Sequence, residues 1–229
     1  MPTIKIKSFE GAEFDAYLAQ PVSGNGIGLV VIHDVFGIDD DLRHICDDHA
    51  AHGYTAVCPD LFWRKPGGVR PSATRESVAA FLNGFDVDAA LRDLISAFGF
   101  LRKAKGSNGK VGVIGYGLGA RLAFIMAART DVDVSVGYCP LDLDKNLDEV
   151  HDVRMPLLLH IAGDDAFVPE NRRGKILDGL AGNPVVRAET YRGAGHSFVL
   201  PASRECVPEA ALEANSSTKK FLVASLSDG

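Results

Sequence analysis

The sequence predicts an α/β fold with a mostly parallel central sheet flanked by helices. Short apolar runs recur along the chain, such as residues 27–33 (IGLVVIH) and 110–115 (KVGVIG). Runs of this kind are typical of strands that are covered on both faces. Segments with a helical pattern of apolar residues lie between them. Strands that alternate with helices imply right-handed crossovers and a parallel sheet.

The elements follow from these patterns in chain order. Alternating apolar and polar residues before and after Glu10-Gly11 predict an antiparallel hairpin at a sheet edge, with strands at 3–8 and 12–20. Further strands are predicted at 27–33, 54–60, 110–115, 132–139, 156–163 and 185–191. Helices are predicted at 39–52, 72–82, 86–104, 118–129, 169–180 and 208–225. No repeat or linker interrupts this order.

The composition indicates one globular domain over residues 1–229. With 46% hydrophobic and 24% charged residues, the chain can bury a large core. A formal net charge of −6 argues against a nucleic-acid partner. No apolar run approaches the roughly 20 residues of a membrane span, and residues 1–25 lack the pattern of a signal peptide. We therefore expect a cytoplasmic protein, a monomer or small homo-oligomer, that acts on a small molecule.

The cysteines predict neither a metal site nor a redox pair. None of the four has CxxC spacing, and free thiols in a reducing compartment are expected. The four are Cys46, Cys58, Cys139 and Cys206. No cofactor is expected either.

Candidate chemistry lies where predicted strands end, because the carboxyl ends of parallel strands open onto the loops that carry reactive groups. Residues 115–119 (GYGLG) follow one strand, 163–169 (GDDAFVP) another and 193–198 (GAGHSF) a third. The order of sharp turn, acid and histidine is that of α/β-hydrolase triads. In such a triad the histidine takes a proton from the nucleophile, and the carboxylate orients the imidazole.

Five segments in register resemble the dienelactone hydrolase family, the carboxymethylenebutenolidases. They are HDVFGI (33–38), GYTAVCPDLFWR (53–64), SNGKVGVIGYGLGARLAF (107–124), GDDAFVP (163–169) and AGHSF (194–198). The resemblance extends over almost the whole chain and implies an α/β-hydrolase fold without a separate cap domain.

The resemblance also implies roles for individual residues. Asp165 matches the triad acid and His196 the triad histidine. The backbone N–H groups of Val35 and Leu118 match the donors of an oxyanion hole. The positions that the resemblance places at the substrate are Asp34, Arg75, Tyr138 and Leu200.

Three positions depart from the family pattern. Gly117 stands where the family has its cysteine nucleophile, Asp34 replaces a glutamate that interacts with that cysteine, and Leu200 replaces a second carboxylate-binding arginine. The nucleophile turn strains a side chain at its centre by about 1–3 kcal/mol but costs glycine almost nothing. No acyl-enzyme can form at Gly117, because glycine has no nucleophilic atom.

The resulting hypothesis is a hydrolase of a small anionic lactone or ester. His196, oriented by Asp165, would activate water in place of the missing nucleophile. Two alternatives remain open. One is a non-catalytic ligand-binding protein on the same scaffold, and the other is a lyase, cyclase or isomerase that uses the same pair of residues.

Several neighbouring residues allow more than one interpretation. Cys58 or Cys139 could supply a thiol, although a buried cysteine usually packs as a small apolar group. His33 and Asp34 either order their loop or form a second acid/base pair. Either Asp164 or its neighbour Asp165 could be the carboxylate that orients His196, and the family resemblance favours Asp165.

A rival interpretation of residues 115–120 is a dinucleotide-binding turn, G-x-G-x-x-A. That motif requires an acidic residue at the end of the next strand, where this chain has Gly137-Tyr138-Cys139. The sequence pattern therefore favours the nucleophile turn.

Overall fold

The computed structural model describes residues 3–64 and 74–226. The strands are β1 (Thr3–Lys7), β2 (Glu13–Ala19), β3 (Gly28–Ile32), β4 (Thr55–Pro59), β5 (Val111–Tyr116), β6 (Val134–Tyr138), β7 (Leu157–Ala162) and β8 (Val186–Tyr191). The helices are α1 (Asp40–Ala51), α2 (Arg75–Asn83), α3 (Val87–Arg102), α4 (Leu118–Arg129), α5 (Glu170–Leu180) and α6 (Pro208–Leu226). Two 3₁₀ helices lie at Leu143–Lys145 and Leu147–Asp152.

The strands form an eight-stranded sheet in the order β1-β2-β4-β3-β5-β6-β7-β8. Strand β2 pairs antiparallel with both β1 and β4, whereas β3 pairs parallel with β4, and β7 pairs parallel with β6 and β8. The predicted α/β class with a mostly parallel sheet is confirmed. Chain contacts divide the protein into two compact units between Val113 and Ile114.

The first unit contains the predicted edge hairpin and the first buried strand. Thr3 pairs with Tyr17 across the hairpin, so the antiparallel arrangement is as predicted. Every residue of β3 is buried, as its continuous apolar sequence indicated. Helix α1 begins after Asp39, whose carboxylate accepts a hydrogen bond from the amide of Leu42 at 2.9 Å. This side chain satisfies an amide that the first helical turn leaves without a helical partner.

Helices α2 and α3 also begin at side-chain caps. Thr74 accepts a hydrogen bond from the amide of Ser77 at 3.3 Å, and Asp86 accepts one from the amide of Ala89 at 2.9 Å. The first residues of the predicted helix 72–82 and the loop at 65–68 lie outside the described residues.

In the second unit, β6, β7 and most of α4 are buried. Strand β6 ends at Tyr138, one residue earlier than predicted, because Cys139 has φ 52° and such a backbone cannot continue a strand. The two 3₁₀ helices were not predicted, since helices this short give no periodic signal. No helix within 3–64 and 74–226 has both the length and the apolar character needed to cross a membrane.

Candidate active site

The turn between β5 and α4 consists of one residue, Gly117. Its backbone has φ 53° and ψ −110°, a conformation that strains an L side chain. The amide of Gly117 donates to the carbonyl of Tyr138 at 2.9 Å, and its carbonyl accepts from the amide of Leu141 at 3.1 Å. The sharp strand-to-helix turn that the sequence indicated is therefore present, and it is hydrogen-bonded to the segment that follows β6.

Close approach of strand and helix at this turn requires a second glycine. A Cβ atom added to Gly115 would lie 2.0 Å from the carbonyl oxygen of Gly119, far inside van der Waals contact. The helix thus starts directly against the end of the strand. Glycine at residue 115 allows this packing, and glycine at residue 117 allows the left-handed turn.

Asp165 and His196 are brought together by the loops after β7 and β8. The distance between Asp165 Oδ2 and His196 Nδ1 is 2.7 Å, and both side chains are buried. Asp165 Oδ1 accepts hydrogen bonds from the amides of Phe167 and Val168 at 2.7 and 3.2 Å. Because Nδ1 faces a carboxylate, Nε2 is the nitrogen that can serve as a base. Asp164 is exposed, and the carboxylate that contacts His196 Nδ1 is that of Asp165.

The histidine loop is held by a residue that sequence reasoning did not identify. Glu205 accepts a hydrogen bond from the amide of Ser197 at 3.0 Å, and its carboxyl group lies 3.0 Å from the position of a Cβ on Gly195. Glu205 thus packs on both neighbours of His196. No motif marks this glutamate, because its role depends on a chain reversal after the histidine.

Cys139 lies beside the Asp165–His196 pair. Its Sγ, a ring nitrogen of His196 and a carboxylate oxygen of Asp165 all lie within 4.8 Å of one another, and all three residues are buried. The cysteine has a left-handed backbone, and its amide donates to the carbonyl of His160 at 2.8 Å. Left-handed backbone at a non-glycine residue carries strain that is found preferentially at functional sites.

Cys58, the other cysteine considered from the sequence, lies in a different environment. It is fully buried in β4, and its hydrogen bond with Cys46, together with burial, raises the pKa of its thiol well above the ordinary value. A raised pKa disfavours the thiolate, which is the nucleophilic form. Of these two cysteines, only Cys139 has a histidine and a carboxylate close to its sulfur.

The same three side chains have the chemistry of a zinc site, which the cysteine spacing did not predict. Thiolate, imidazole and carboxylate are all zinc ligands. However, Asp165 Oδ1 accepts from two amides and Oδ2 contacts His196. A metal ion bound by all three residues would compete with these hydrogen bonds. The contacts therefore favour a catalytic arrangement over a metal centre.

In the first unit, His33 and Asp34 order the loop after β3. Leu61 donates its amide to His33 Nε2 at 3.0 Å, so this nitrogen accepts and Nδ1–H donates to the Asp34 carbonyl at 2.7 Å. Burial lowers the pKa of His33 and keeps the ring neutral. Both ring nitrogens contact backbone, which supports the loop-ordering interpretation rather than a second acid/base pair.

Val35, a predicted oxyanion donor, already donates its amide to Asp34. The distance to Asp34 Oδ1 is 2.7 Å. A substrate oxyanion at this amide would have to replace that carboxylate. Leu118, the other predicted donor, is the first residue of α4, where backbone amides point out of the helix end.

The remaining predicted substrate residues differ in their surroundings. Tyr138 is buried, and its hydroxyl lies 2.6 Å from Thr218 Oγ1 and 3.1 Å from Asn215 Oδ1, both on α6. The Tyr138 hydroxyl is therefore engaged by α6, and a substrate-binding role for Tyr138 stays a prediction. Leu200 is buried in the second unit, and Arg75 is exposed at the start of α2 in the first.

Tyr138 belongs to a buried hydrogen-bonded chain that also contains His160. Tyr191 donates its hydroxyl to Glu189 at 2.8 Å, so the 2.9 Å contact with His160 has Nδ1–H as donor. His160 Nε2 then accepts from Thr218 at 2.8 Å. Burial lowers the pKa of His160 to about 4, although the nearby carboxylate of Glu189 opposes the shift. His160 is thus a neutral structural histidine.

Comparison with known proteins identifies relatives over nearly the full chain. A family model described as "Dienelactone hydrolase family" matches residues 14–226. The chain is 37% identical over 223 residues to carboxymethylenebutenolidase from Pseudomonas putida, covering 96% of this chain and 94% of that protein. It is 33% identical over 223 residues to carboxymethylenebutenolidase 1 from Cupriavidus pinatubonensis, covering 96% and 95%.

Solved structures show the same fold. The crystal structure of dienelactone hydrolase from Anabaena variabilis superposes with a TM-score of 0.72 and 18% identity, covering 98% of this chain and 97% of that one. At this identity the likeness concerns the fold alone. The region matched by the family model includes residues 115–120, and this favours the nucleophile-turn interpretation over dinucleotide binding.

Proposed function

Because the chain belongs to the dienelactone hydrolase family, we propose that it hydrolyses a small anionic lactone or ester, with Asp165 and His196 supplying the base. The observation that carries this proposal is the 2.7 Å contact between Asp165 Oδ2 and His196 Nδ1. A carboxylate in this position fixes the imidazole tautomer and stabilises the imidazolium that forms when His196 takes a proton.

The base acts on water. His196 Nε2 removes a proton from a water molecule as the oxygen attacks the carbonyl carbon of the substrate. A positioned general base of this kind contributes about 10²–10⁴-fold to the rate. The amide of Leu118 stabilises the developing oxyanion. For Val35, the same role requires that Asp34 Oδ1 give up its hydrogen bond to that amide.

The substrate class follows from the relatives and from the charged residues. The name carboxymethylenebutenolidase denotes hydrolysis of a lactone that carries a carboxylate. Arg75 is the cation proposed to bind such a carboxylate, while Leu200 offers an apolar surface in place of a second arginine. One cation instead of two favours a substrate with one anionic group, held less tightly than by a pair of arginines.

The test compares hydrolysis of a carboxymethylenebutenolide with that of neutral phenyl acetate in the wild type and in His196→Ala. We expect His196→Ala to lower kcat/KM by at least about 100-fold. His151→Ala is the matched control, since His151 is an exposed histidine of the second unit. Equal rates in wild type and His196→Ala would contradict the proposed base.

Two further measurements separate the alternatives. In water enriched with ¹⁸O, hydrolysis places the label in the acid product, whereas isomerisation or lyase chemistry leaves the product unlabelled. If the wild type turns over no substrate but is stabilised thermally by the lactone, the protein is a binding protein and the proposed hydrolysis is wrong.

A further inference from the structure

We propose that the edge strand β8 is a dimerisation surface, on which a second copy of this chain pairs its own β8 antiparallel about a two-fold axis at Ala188. The inference goes beyond the proposed hydrolysis and does not depend on it. It rests on the open edge of β8, on the order of the charged residues along this strand and on the groove between β8 and α6.

Strand β8 lies at one end of the sheet and leaves an edge open. Among the described strands it pairs with β7 alone, and its residues Arg187, Ala188 and Thr190 are exposed. The N–H and C=O groups of an open edge can pair with another strand, and proteins commonly prevent this with proline, a bulge or lysine side chains. Residues 186–191 (VRAETY) contain neither proline nor lysine.

The hydrogen bonds to β7 determine which backbone groups of β8 face the open edge. The amide of Gly163, just after β7, donates to the carbonyl of Tyr191 at 2.8 Å. Because the backbone groups of successive residues point to alternate sides of a strand, the odd-numbered residues of β8 face β7. The N–H and C=O groups of Ala188 and Thr190 therefore point to the open edge, as does the carbonyl of Val186.

The charges along β8 complement those of an inverted copy. Pairing about Ala188 places Arg187 of each copy opposite Glu189 of the other. Opposite charges that face each other across antiparallel strands stabilise the pairing, whereas like charges oppose it. The same register places Ala188 opposite Ala188 and Val186 opposite Thr190, and these are the residues whose backbone groups face the edge. One register thus satisfies both the hydrogen bonds and the charges.

The strand at the other end of the sheet lacks this complementarity. Strand β1 carries Lys5 and Lys7, with Ile6 between them. An inverted copy paired about Ile6 would place lysine opposite lysine, and such an arrangement disfavours self-association. The contrast indicates that β8, and not β1, is the edge suited to a second copy.

Arg187 and Glu189 lie on the face of β8 that α6 covers. Their side chains form an ion pair with each other, and Glu189 accepts a hydrogen bond from Ser217 of α6 at 2.9 Å. The Arg187 side chain is 63% exposed, so rotation of this side chain is enough to exchange its own Glu189 for that of the second copy. In the dimer each carboxylate therefore keeps an arginine partner.

The groove between β8 and α6 gives the dimer contact area beyond the two strands. Its volume is about 710 Å³, and its lining includes Glu213, Lys220, Phe221 and Ala224 of α6. A two-fold axis normal to the sheet keeps both α6 helices on the same face, so the grooves of the two copies meet. A stable dimer buries about 1,200–2,000 Å² in total, and the joined grooves add the apolar surface of Phe221 and Ala224 to that of the strands.

Sedimentation velocity of the full-length protein over a wide range of concentration tests the dimer. The wild type should sediment with twice the mass of the chain. Arg187→Glu places a carboxylate opposite Glu189 of the other copy, and Glu189→Arg places arginine opposite arginine, so each variant alone should be a monomer. An equimolar mixture of the two variants should form dimers again, because every facing pair then has opposite charges.

Two further variants make the test specific. Lys103→Glu is the matched control, because it makes the same change of charge at an exposed residue of the first unit and should remain a dimer. Ala188→Pro removes an amide that faces the open edge, so it should abolish the dimer while the hydrogen bonds to β7 remain. Thermal unfolding shows whether each variant is folded. If Glu189→Arg misfolds because its bond to Ser217 is lost, Arg187→Glu and Ala188→Pro decide the question.

Hydrogen exchange locates the contact between the copies. The amides of Ala188 and Thr190 should exchange more slowly in the wild type than in Arg187→Glu, because the dimer pairs them with carbonyl groups of the second copy. The amide of Glu189 faces β7 in monomer and dimer alike and serves as the internal reference.

The outcomes decide between this occupant and others. A wild type that is monomeric at every concentration overturns the proposal, and so does a dimer that persists in both Arg187→Glu and Ala188→Pro, since it forms through another surface. If the wild type is monomeric but a synthetic peptide of residues 184–192 slows exchange at Ala188, the edge accepts a free strand and the second folded copy is wrong. None of these measurements uses a substrate, so their result is independent of the proposed hydrolysis.

Discussion

Gly117 donates its amide to the carbonyl of Tyr138 at 2.9 Å, and this hydrogen bond links the turn between β5 and α4 to the end of β6, next to Cys139. Residue 117 and the thiol of Cys139 therefore lie on segments of backbone that are hydrogen-bonded to each other. Loss of a side chain at residue 117 leaves the surrounding hydrogen bonds intact, since they involve only main-chain atoms. The hydrogen bonds that hold the turn therefore do not depend on a side chain at residue 117.

The first prediction concerns Gly117→Cys. A cysteine at residue 117 must keep the backbone φ near 53°, which is strained for a residue with a side chain. We therefore expect the free energy of unfolding to fall by about 1–3 kcal/mol and the melting temperature to fall by several degrees. The same change should create a burst with p-nitrophenyl acetate and make hydrolysis sensitive to iodoacetamide. Differential scanning calorimetry and stopped-flow kinetics test the two effects separately. A stable variant that never acylates would show that residue 117 no longer faces the substrate.

The second prediction concerns Asp165→Asn. An asparagine amide can donate to Nδ1, which would leave the imidazole in the wrong tautomer for a base at Nε2. We expect kcat/KM to fall by roughly 10²–10⁴-fold while the fold is retained. Asp164→Asn is the control, because Asp164 is the exposed neighbouring acid and should keep nearly full activity. A larger loss in Asp164→Asn than in Asp165→Asn would reassign the triad acid.

The third prediction is a dependence of stability on pH that arises from His160. Its folded-state pKa is about 4, whereas an unfolded histidine titrates near 6.5. The folded state therefore binds fewer protons between these values, and stability falls as the pH is lowered from about 6.5 towards 4. The difference of about 2.5 units corresponds to roughly 3 kcal/mol over the whole window.

Urea unfolding at pH 7.5, 5.5 and 4.5 measures this contribution. His160→Gln should be less stable at pH 7.5, because buried hydrogen bonds to Thr218 and Tyr191 are altered, but its stability should change less with pH. His151→Gln should keep the wild-type slope, since His151 is exposed. Identical slopes in wild type and His160→Gln would exclude His160 as the titrating group.

The strands and helices could be predicted because the patterns that indicate them lie within short stretches of sequence. Continuous apolar runs such as residues 27–33 indicate strands buried on both faces, and the structure has β3 buried throughout. The acid and the histidine were predicted from short motifs at strand ends. Their hydrogen bond follows from the parallel sheet, which brings the loops after β7 and β8 to one edge.

The contacts that refine the site could not be predicted in this way. The left-handed backbone of Cys139 and the packing of Glu205 against Gly195 depend on residues far apart in the chain. The bond between Asp34 Oδ1 and the amide of Val35 is local, but the sequence equally allows the carboxylate to point elsewhere. The contact between the Tyr138 hydroxyl and Thr218 on α6 joins residues 80 positions apart, so no local pattern predicts it.

The last prediction separates a structural from a substrate-binding role for that tyrosine. Tyr138→Phe removes a buried hydroxyl that lies 2.6 Å from Thr218 and 3.1 Å from Asn215, and it keeps the ring stacked between Tyr116 and His160. We expect a loss of about 1–2 kcal/mol in the free energy of unfolding, because Thr218 loses a buried partner. The values of kcat and KM should each change by less than about twofold, since no reacting atom is touched. Tyr17→Phe is the matched control, because it also removes a tyrosine hydroxyl, here one that is bonded to Asp47 in the first unit; the free energies of unfolding of the two variants are compared. A tenfold rise in KM for Tyr138→Phe at unchanged stability would instead mean that its hydroxyl leaves α6 to bind the substrate.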